Sequence, residues 1–266
     1  MNRARIAVIM LMVVILSAFS GCSRSKAPLS EEETLRKKLG VRVATKLNDR
    51  VVNQVQIFDK NGRMTEERWH NPKGFIVTRK EMRYDDKTGF LKETIWCKAD
   101  DIMKSKHLYE YDRQGNLVMD KWLTPFDDVK TITTYHYDKG NLVLENNKDG
   151  RNNIFYVREY RYENGNRVEF IETDNRDEVS NRHRYNYNEQ GQKIEERWLN
   201  NDGELTIMRK FEYENDLLVR ETQHRNEEFE QEITREYDHN GLLHTERWYD
   251  GKGELIIENT YAYNYY

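Results

Sequence analysis

Short stretches of this chain alternate tyrosine with polar residues, and the pattern recurs about every 26 residues. Residues 106–111 and 182–187, for example, place tyrosines two positions apart with Glu110 or Asn186 between them. This is the period of a β-strand with one buried and one hydrated face. Each unit is therefore predicted to contain a strand that ends at an aromatic anchor; the anchors are Phe58, Tyr84, Tyr111, Tyr137, Tyr162, Tyr187, Tyr213, Tyr237 and Tyr263.

A short turn, often Asp-x-x-Gly, follows each anchor and precedes a second apolar stretch, as at 112–117. Glycine tolerates the positive φ angle that tight hairpins require. A looser turn with Asp-Gly pairs, as at 149–150 and 202–203, ends the unit. The unit around Tyr213 has Asp216 in place of the turn glycine, so we expect it to be the most deviant hairpin.

Nine such units predict an all-β fold, an antiparallel meander of about nine β-hairpin repeats with seventeen or eighteen strands. Open sheets of more than about ten strands tend to curl or split, and neighbouring strands twist by about 20–25°. We therefore expect a curled or superhelical sheet, with closure into a cylinder as the alternative. Residues 261–266 form the first strand of a further unit, whose edge must be capped or paired.

All five tryptophans occupy one position of the unit, seven residues after the turn glycine: Trp69, Trp96, Trp122, Trp198 and Trp248. In a regular strand this position faces away from the apolar residue two after the glycine. Either a β-bulge intervenes, or the tryptophans lie on the other face of the sheet. Thirteen of the seventeen tyrosines stand at the anchor or two residues before it, where we expect a buried stripe; a row of exposed rings is the alternative.

Basic residues directly precede most of the tryptophans, and three copies read Glu-Arg-Trp. Tryptophan and arginine together offer flat aromatic and cation–π positions suited to a glycan or a protein. The candidate ligand-binding set is the five tryptophans with Arg68, Arg197 and Arg247. The alternative is that glutamate and arginine pair across neighbouring strands while tryptophan packs.

Residues 1–22 form a targeting segment outside the fold. Arg3 and Arg5 precede an apolar run over 6–16, which is too short for a membrane span. Residues 19–22, Phe-Ser-Gly-Cys, resemble the cleavage site of bacterial lipoprotein signals, although leucine is usual at the phenylalanine. The resemblance implies that Cys22 becomes the lipidated N-terminus, with an ordinary secretory signal as the alternative. Serine rather than aspartate after Cys22 favours the outer membrane, if the organism has one.

Residues 23–40 predict a tether with a short helix, because Ser30 to Glu33 resembles a capping box and Gly40 resembles a helix stop. The repeat domain then spans 41–266 and begins with a strand from Val41.

Charge and motifs exclude several kinds of function. Residues 23–266 carry 47 acidic side chains and, without Arg3 and Arg5, two fewer basic ones than the 43 of the whole chain. This net negative charge argues against nucleic acid as a partner. No catalytic motif and no Cys/His metal spacing occur, so no enzyme activity, cofactor or metal is predicted. His239 and His244, which flank one turn, come nearest to a metal site.

At 111–117 and 237–243 the units read Tyr-Asp-x-x-Gly-x-Leu and resemble the YD repeats of bacterial Rhs-type proteins, over about residues 51–266. The resemblance implies a β-hairpin array. Such proteins are surface or secreted shells that often enclose a C-terminal toxin; this chain is far shorter and no domain follows its last repeat, so toxin delivery is not expected. The function predicted is a lipid-anchored envelope protein acting as a non-enzymatic binding or scaffolding surface for envelope proteins. The alternative is a carbohydrate-binding accessory lipoprotein that uses the tryptophan and tyrosine rows.

Overall fold

The computed structural model describes residues 30–48 and 51–265. One helix, α1 (Glu31–Leu39), precedes eighteen strands. The strands are β1 (Val41–Asn48), β2 (Val51–Phe58), β3 (Met64–His70), β4 (Ile76–Tyr84), β5 (Leu91–Lys98), β6 (Met103–Tyr111), β7 (Leu117–Leu123), β8 (Val129–Asp138), β9 (Asn141–Asp149), β10 (Ile154–Glu163), β11 (Asn166–Asp174), β12 (Val179–Tyr187), β13 (Lys193–Leu199), β14 (Leu205–Glu214), β15 (Leu217–Arg225), β16 (Glu228–Tyr237), β17 (Leu243–Asp250) and β18 (Leu255–Tyr265). The predicted all-β antiparallel meander of hairpin repeats is confirmed.

The sheet closes on itself into a barrel. Consecutive strands pair in antiparallel fashion around the sheet, and β18 pairs with β1, where Tyr263 lies opposite Ala44 and Tyr261 opposite Lys46. β1 in turn pairs with β2. The expectation of a curled or superhelical sheet is therefore wrong, and the cylinder is correct. The physical reason is that β1 supplies the second strand that the last unit lacks, so the backbone N–H and C=O groups of β18 find partners.

A β-bulge accompanies the hairpin at each anchor. Arg83 lies opposite Glu93 while Tyr84 lies opposite Leu91, so β5 contains one residue more than β4 across this step. The same register shift occurs at the other anchors, such as Tyr111. The extra residue reverses the alternation of side chains. Positions two, five and seven after the turn therefore share a face with the anchor tyrosines, which settles the alternative left open by the sequence.

Anchor hydroxyl groups link each unit to the preceding one. Tyr84 Oη donates a hydrogen bond of 2.8 Å to the carbonyl oxygen of Met64, twenty residues earlier, at the bulge of the preceding hairpin. Four further anchors make the equivalent bond: Tyr187, Tyr213, Tyr237 and Tyr263. Tyr111 instead stacks on Phe90 at 4.6 Å between ring centroids. These six anchor tyrosines are thus half-buried and held by a hydrogen bond or a ring contact.

The hairpin around Tyr213 is not the exception that we expected. Asn215 and Asp216, with φ of 49° and 66°, form a two-residue loop. Residues 139–140 and 164–165 join their strands in the same way, again with two positive φ angles. Such loops are typical of type I′ turns, in which asparagine and aspartate replace glycine at modest cost.

The face that carries the anchors is the inner wall of the barrel. The residue before each anchor lies on the opposite face and is highly exposed, with 58% of the Arg83 side chain and 63% of the Arg161 side chain accessible. Carboxylates on the anchor face are far less exposed, at 9% for Glu145 and 11% for Glu196. Side chains converge on the concave side of a closed sheet and diverge on the convex side, so the enclosed face is the inner one.

Helix α1 lies against the end of the barrel formed by the anchor turns. The Ser30–Glu33 capping box and the left-handed Gly40, with φ of 69°, confirm the predicted helix ends. Arg36 Nε donates a hydrogen bond of 3.0 Å to the carbonyl oxygen of Gly62. Leucines of α1 pack on a small buried cluster made of Val41, Ala44, Phe58 and Leu242. Among the residues described, no helix is both long and apolar enough to cross a bilayer.

Replacement of Gly62 by alanine tests the docking of α1. A Cβ atom at Gly62 would overlap the carbonyl oxygen of Glu33, whereas a Cβ at Gly203 meets nothing within 4 Å. Both glycines have positive φ, 78° and 84°, so both substitutions cost about 1 kcal/mol for the backbone. We expect Gly62→Ala to lose at least a further ~1 kcal/mol, because α1 must shift. Urea unfolding of both variants measures the difference, and equal losses would contradict the docked position of α1.

Candidate functional site on the inner wall

Two rows of side chains run side by side around the inner wall. The carboxylate row, five residues after each turn, consists of Glu67, Asp120, Glu145, Glu196, Glu221 and Glu246. The tryptophan row, seven residues after each turn, contains all five tryptophans. Residues two apart on a strand lie about 7 Å apart on one face. The structure therefore places all five tryptophans on the same face as the anchor tyrosines. Four of them lie two residues from a member of the carboxylate row, and Trp96 has Thr94 at that position.

The first tryptophan sector contains three rings. Trp69 and Trp96 stack nearly parallel, with 5.3 Å between centroids and 13° between planes. Trp122 stacks on His107 at 5.7 Å, and the Lys130 ammonium lies 4.5 Å from its centroid. With 37% of its surface accessible, Trp122 presents part of a ring to solvent. This sector combines exposed aromatic surface with cations that leave the rings only partly covered.

The second sector is held more tightly by polar contacts. Trp198 stacks on His183 at 4.6 Å and donates from Nε1 to Glu196 Oε1 at 3.0 Å. Trp248 makes the corresponding bond to Glu246 Oε1 at 2.9 Å. Because these indole N–H groups already donate to carboxylates of the wall, a ligand would contact the faces of these tryptophan rings.

Between the two sectors the tryptophan position is occupied by Asn147 and Glu172, and Arg158 lies opposite Glu172. Arg158 contacts Glu145 Oε1 at 3.0 Å and Glu172 Oε2 at 2.7 Å. Tyr156 and Tyr160 donate their hydroxyl groups to the two oxygens of Glu145, at 2.9 and 2.8 Å. The region is fully hydrogen-bonded, which is the condition under which low-dielectric walls tolerate charge.

Each remaining carboxylate also has a partner on this wall. Asp120 lies 2.9 Å from His107 Nδ1, and Glu67 accepts hydrogen bonds from Gln54 and Gln56. Arg235 lies between two members of the row and contacts Glu221 at 3.4 Å and Glu246 at 3.3 Å. In the unit closed by β1, Lys46 replaces the carboxylate and lies 3.7 Å from Glu246.

Two carboxyl groups of the wall, those of Glu172 and Glu196, have lowered pKa values. Burial alone would raise the pKa of Glu196, but hydrogen bonds from His183 and Lys193 outweigh it and lower that pKa to about 2. For Glu172, burial is likewise outweighed by hydrogen bonds from Asn181 and Arg158, so its pKa is lowered. Burial raises the pKa of Tyr109 to about 12, so this hydroxyl stays protonated. Glu172 and Glu196 are therefore hydrogen-bond acceptors at neutral pH and not general acids.

The three arginines of the predicted site lie on the outer wall, away from the tryptophans. The bonds to acids on that wall are Arg68 Nε to Glu66 at 2.6 Å, Arg197 Nε to Glu195 at 2.7 Å, and Arg247 Nε to Glu258 at 2.6 Å. Because adjacent residues of a strand point to opposite faces, one ligand does not contact both the tryptophans and these arginines. The partner of each arginine is also not the glutamate directly before it.

Sequence reasoning missed the inner basic residues that replace the arginines. Four such residues stand four positions before their anchors: His107, Arg158, His183 and Arg209. His107 and His183 lie directly opposite a tryptophan, whereas Arg158 and Arg209 lie opposite Glu172 and Gln223, which hold the same position in their units. Their fixed distance from the anchor was a usable signal. Their position on the tryptophan face depends on the bulge, which no single residue type marks.

Other candidate sites give little chemistry. His244 Nδ1 lies 2.8 Å from the hydroxyl of Thr245. Within residues 30–48 and 51–265, no group of three or more His, Cys, Asp or Glu side chains is arranged to hold a metal ion. Cys97 is a buried free thiol. Cys22, the predicted lipidation site, lies outside the described residues.

Substitution of Glu196 tests the inner ion pairs. We expect Glu196→Gln to lose about 3 kcal/mol of unfolding free energy at pH 7, from a folded pKa near 2 against an ordinary value of 4.5. Because the folded pKa is the lower one, this contribution is complete above pH 4.5 and is lost as the pH falls towards 2. Glu195→Gln, on the outer wall, is the matched control and should change stability by less than ~1 kcal/mol. Denaturant titrations at pH 7 and pH 3 measure both, and equal losses would contradict the buried pairing.

Comparison with known proteins yields no family. No family model matches the chain, and no curated protein matches it. Among solved structures, the chain is similar to a porin-like protein from Bacteroides uniformis, with 11% identity over 84% of this chain and 98% of that one and a TM-score of 0.46. A porin-like protein from Bacteroides vulgatus shows 8% identity, the same coverages and a TM-score of 0.35. The Photorhabdus luminescens Tc holotoxin pore shows 12% identity over 76% of this chain and 17% of that one, with a TM-score of 0.20. Likeness at these scores assigns neither identity nor function.

Proposed function

We propose that this chain is a lipid-anchored, non-enzymatic binding protein of the bacterial cell envelope, and that its ligand lies along the inner wall of the barrel. The observation that carries the proposal is the placement of tryptophan, tyrosine and carboxylate side chains close together on one enclosed face. Binding sites combine apolar aromatic surface with a few fixed polar groups, and this wall repeats that combination from unit to unit. The outer wall, in contrast, is charged and hydrated.

A binding role suits the wall better than catalysis. Every described carboxyl group whose pKa departs from its ordinary value is shifted downwards, including Asp85, Glu172 and Glu196. A general acid at neutral pH requires the opposite shift. Arginine and histidine partners also occupy the carboxylate oxygens, which leaves these groups as structural acceptors.

The partner class that we predict first is an envelope protein whose extended segment enters or crosses the barrel mouth. A carbohydrate is the second candidate, and the parallel Trp69–Trp96 pair and the accessible Trp122 favour it. Sugar rings present flat C–H faces to aromatic rings and hydroxyl groups to carboxylates, and both kinds of group are present on this wall.

Trp122 is the residue whose replacement tests ligand binding. In residues 23–266, which contain every described element, tryptophan fluorescence with acrylamide quenching would be measured during titration with envelope polysaccharides. Protection from quenching, weakened about three- to tenfold by Trp122→Ala, would support the carbohydrate ligand. Arg197→Ala, on the outer wall, is the control and should leave the affinity unchanged. Emission that no polysaccharide alters would direct the search to protein partners, and an equal effect of both variants would argue against an inner site.

Cys22→Ser tests the lipid anchor. We expect the full chain to incorporate labelled palmitate in bacterial cells, because the resemblance to lipoprotein signals implies acylation at Cys22. Cys22→Ser should abolish the label, while Cys97→Ser, at the other cysteine of the chain, should retain it. Label that survives Cys22→Ser would contradict the anchor.

A further inference from the structure

The end of the barrel opposite α1 carries a row of exposed apolar side chains. At this end the strands β3 to β10 are joined by four connections, and each presents at least one such residue at or beside its tip. The exposed fractions are 67% for Phe75, 55% for Ile102, 87% for Phe126 and 50% for Phe155. Isolated exposed apolar residues are common on proteins, but four aligned at one end of a closed barrel form a shared surface. We call this surface the apolar arc.

Charge is distributed unequally around the same end. The eight-residue windows of the apolar arc, 70–77, 97–104, 123–130 and 148–155, contain six lysines and arginines against five aspartates. The corresponding windows of the other half, 173–180, 199–206, 223–230 and 249–256, contain three basic against ten acidic residues. We call this second half the acidic arc. A partner that carries negative charge is therefore repelled by the acidic arc and not by the apolar arc.

Two of the five aspartates of the apolar arc also form ion pairs with basic residues of the strands. Asp101 lies 3.1 Å from Arg79, and Asp127 lies 2.6 Å from Lys106. The six basic residues of the arc therefore outnumber its three remaining aspartates. The turn at Phe126 is fixed, because Thr124 accepts hydrogen bonds from the backbone N–H groups of Phe126 and Asp127, at 3.2 and 3.1 Å.

The geometry points to the surface of an anionic lipid bilayer as the partner of the apolar arc. Successive tips are two strands apart, about 10 Å, with charged or polar residues between them. A protein interface needs a continuous packed apolar core, which such a spacing does not provide. Lipid chains close around each side chain separately, while lysines between the tips remain at the level of the phosphates.

The acidic arc determines how the barrel is oriented on the bilayer. Repulsion from anionic headgroups keeps that half away from the bilayer, so the barrel rests tilted on the apolar arc. The inference does not depend on a ligand at the inner wall, nor on acylation of Cys22, because its residues lie in the strand connections or at the strand ends beside them.

Vesicle binding tests the inference with residues 23–266, which lack the proposed lipid. The probe is vesicles of phosphatidylethanolamine and phosphatidylglycerol in a ratio of about 3:1, with binding measured by flotation. The triple variant Phe75→Ser, Phe126→Ser, Phe155→Ser should lose at least about tenfold in partitioning, because each ring contributes its own burial. The double variant Leu255→Ser, Ile256→Ser replaces exposed residues of the acidic arc, at 53% and 57%, and should change partitioning less than about twofold.

Thermal unfolding of both variants checks the fold, and Phe126→Ser alone replaces the triple variant if that variant unfolds. Failure of the intact protein to float with vesicles would overturn the inference, as would equal losses for the two variants. A dimer in sedimentation that the triple variant abolishes, without vesicle binding, would instead identify the apolar arc as a contact between copies of this chain.

Discussion

The hydrogen bond from an anchor tyrosine to the carbonyl at the preceding bulge is the interaction on which the architecture depends. The bulge turns three positions of the second strand towards the inner wall, but it interrupts the ladder and leaves a backbone oxygen in need of a donor. The next anchor supplies that donor, as in Tyr84 to Met64. Each unit thereby stabilises the distortion that its neighbour requires, and the five bonded anchors repeat the same geometry around the barrel.

Closure follows from the same need for partners. An array of hairpins that ended at β18 would expose a long unpaired edge, and β1 removes it by pairing on both sides. Closure also creates an inside, where carboxylates come close to tryptophans and become shielded from solvent. Hydrogen-bond donors stabilise these carboxylates, as His183 and Lys193 do for Glu196 and as Gln54 and Gln56 do for Glu67. The ion pairs of the inner wall are thus a consequence of the closed topology.

The two walls and the two ends of the barrel have different chemistry, and each suits a different kind of contact. The inner wall has aromatic faces and fixed acceptors, which suit an elongated ligand. The outer wall has charged ladders such as Arg197 with Glu195 and offers little specificity. Helix α1 lies against one end of the barrel, whereas the other end presents Phe126 and its neighbours. A binding barrel that rests on a membrane by this end would keep its outer wall in water.

The sequence by itself determined the repeat, its hairpins, the strand number and the helix from Ser30 to Gly40, because turn residues and two-residue periodicity act locally. It also placed the tryptophans in one register. Tertiary structure decided what those residues do together. The bulge moved the tryptophans to the tyrosine face, and Arg68, Arg197 and Arg247 consequently fell on the other wall. Pairing of β1 with β18 joins residues more than two hundred positions apart, and backbone pairing at that distance leaves no local mark in the chain.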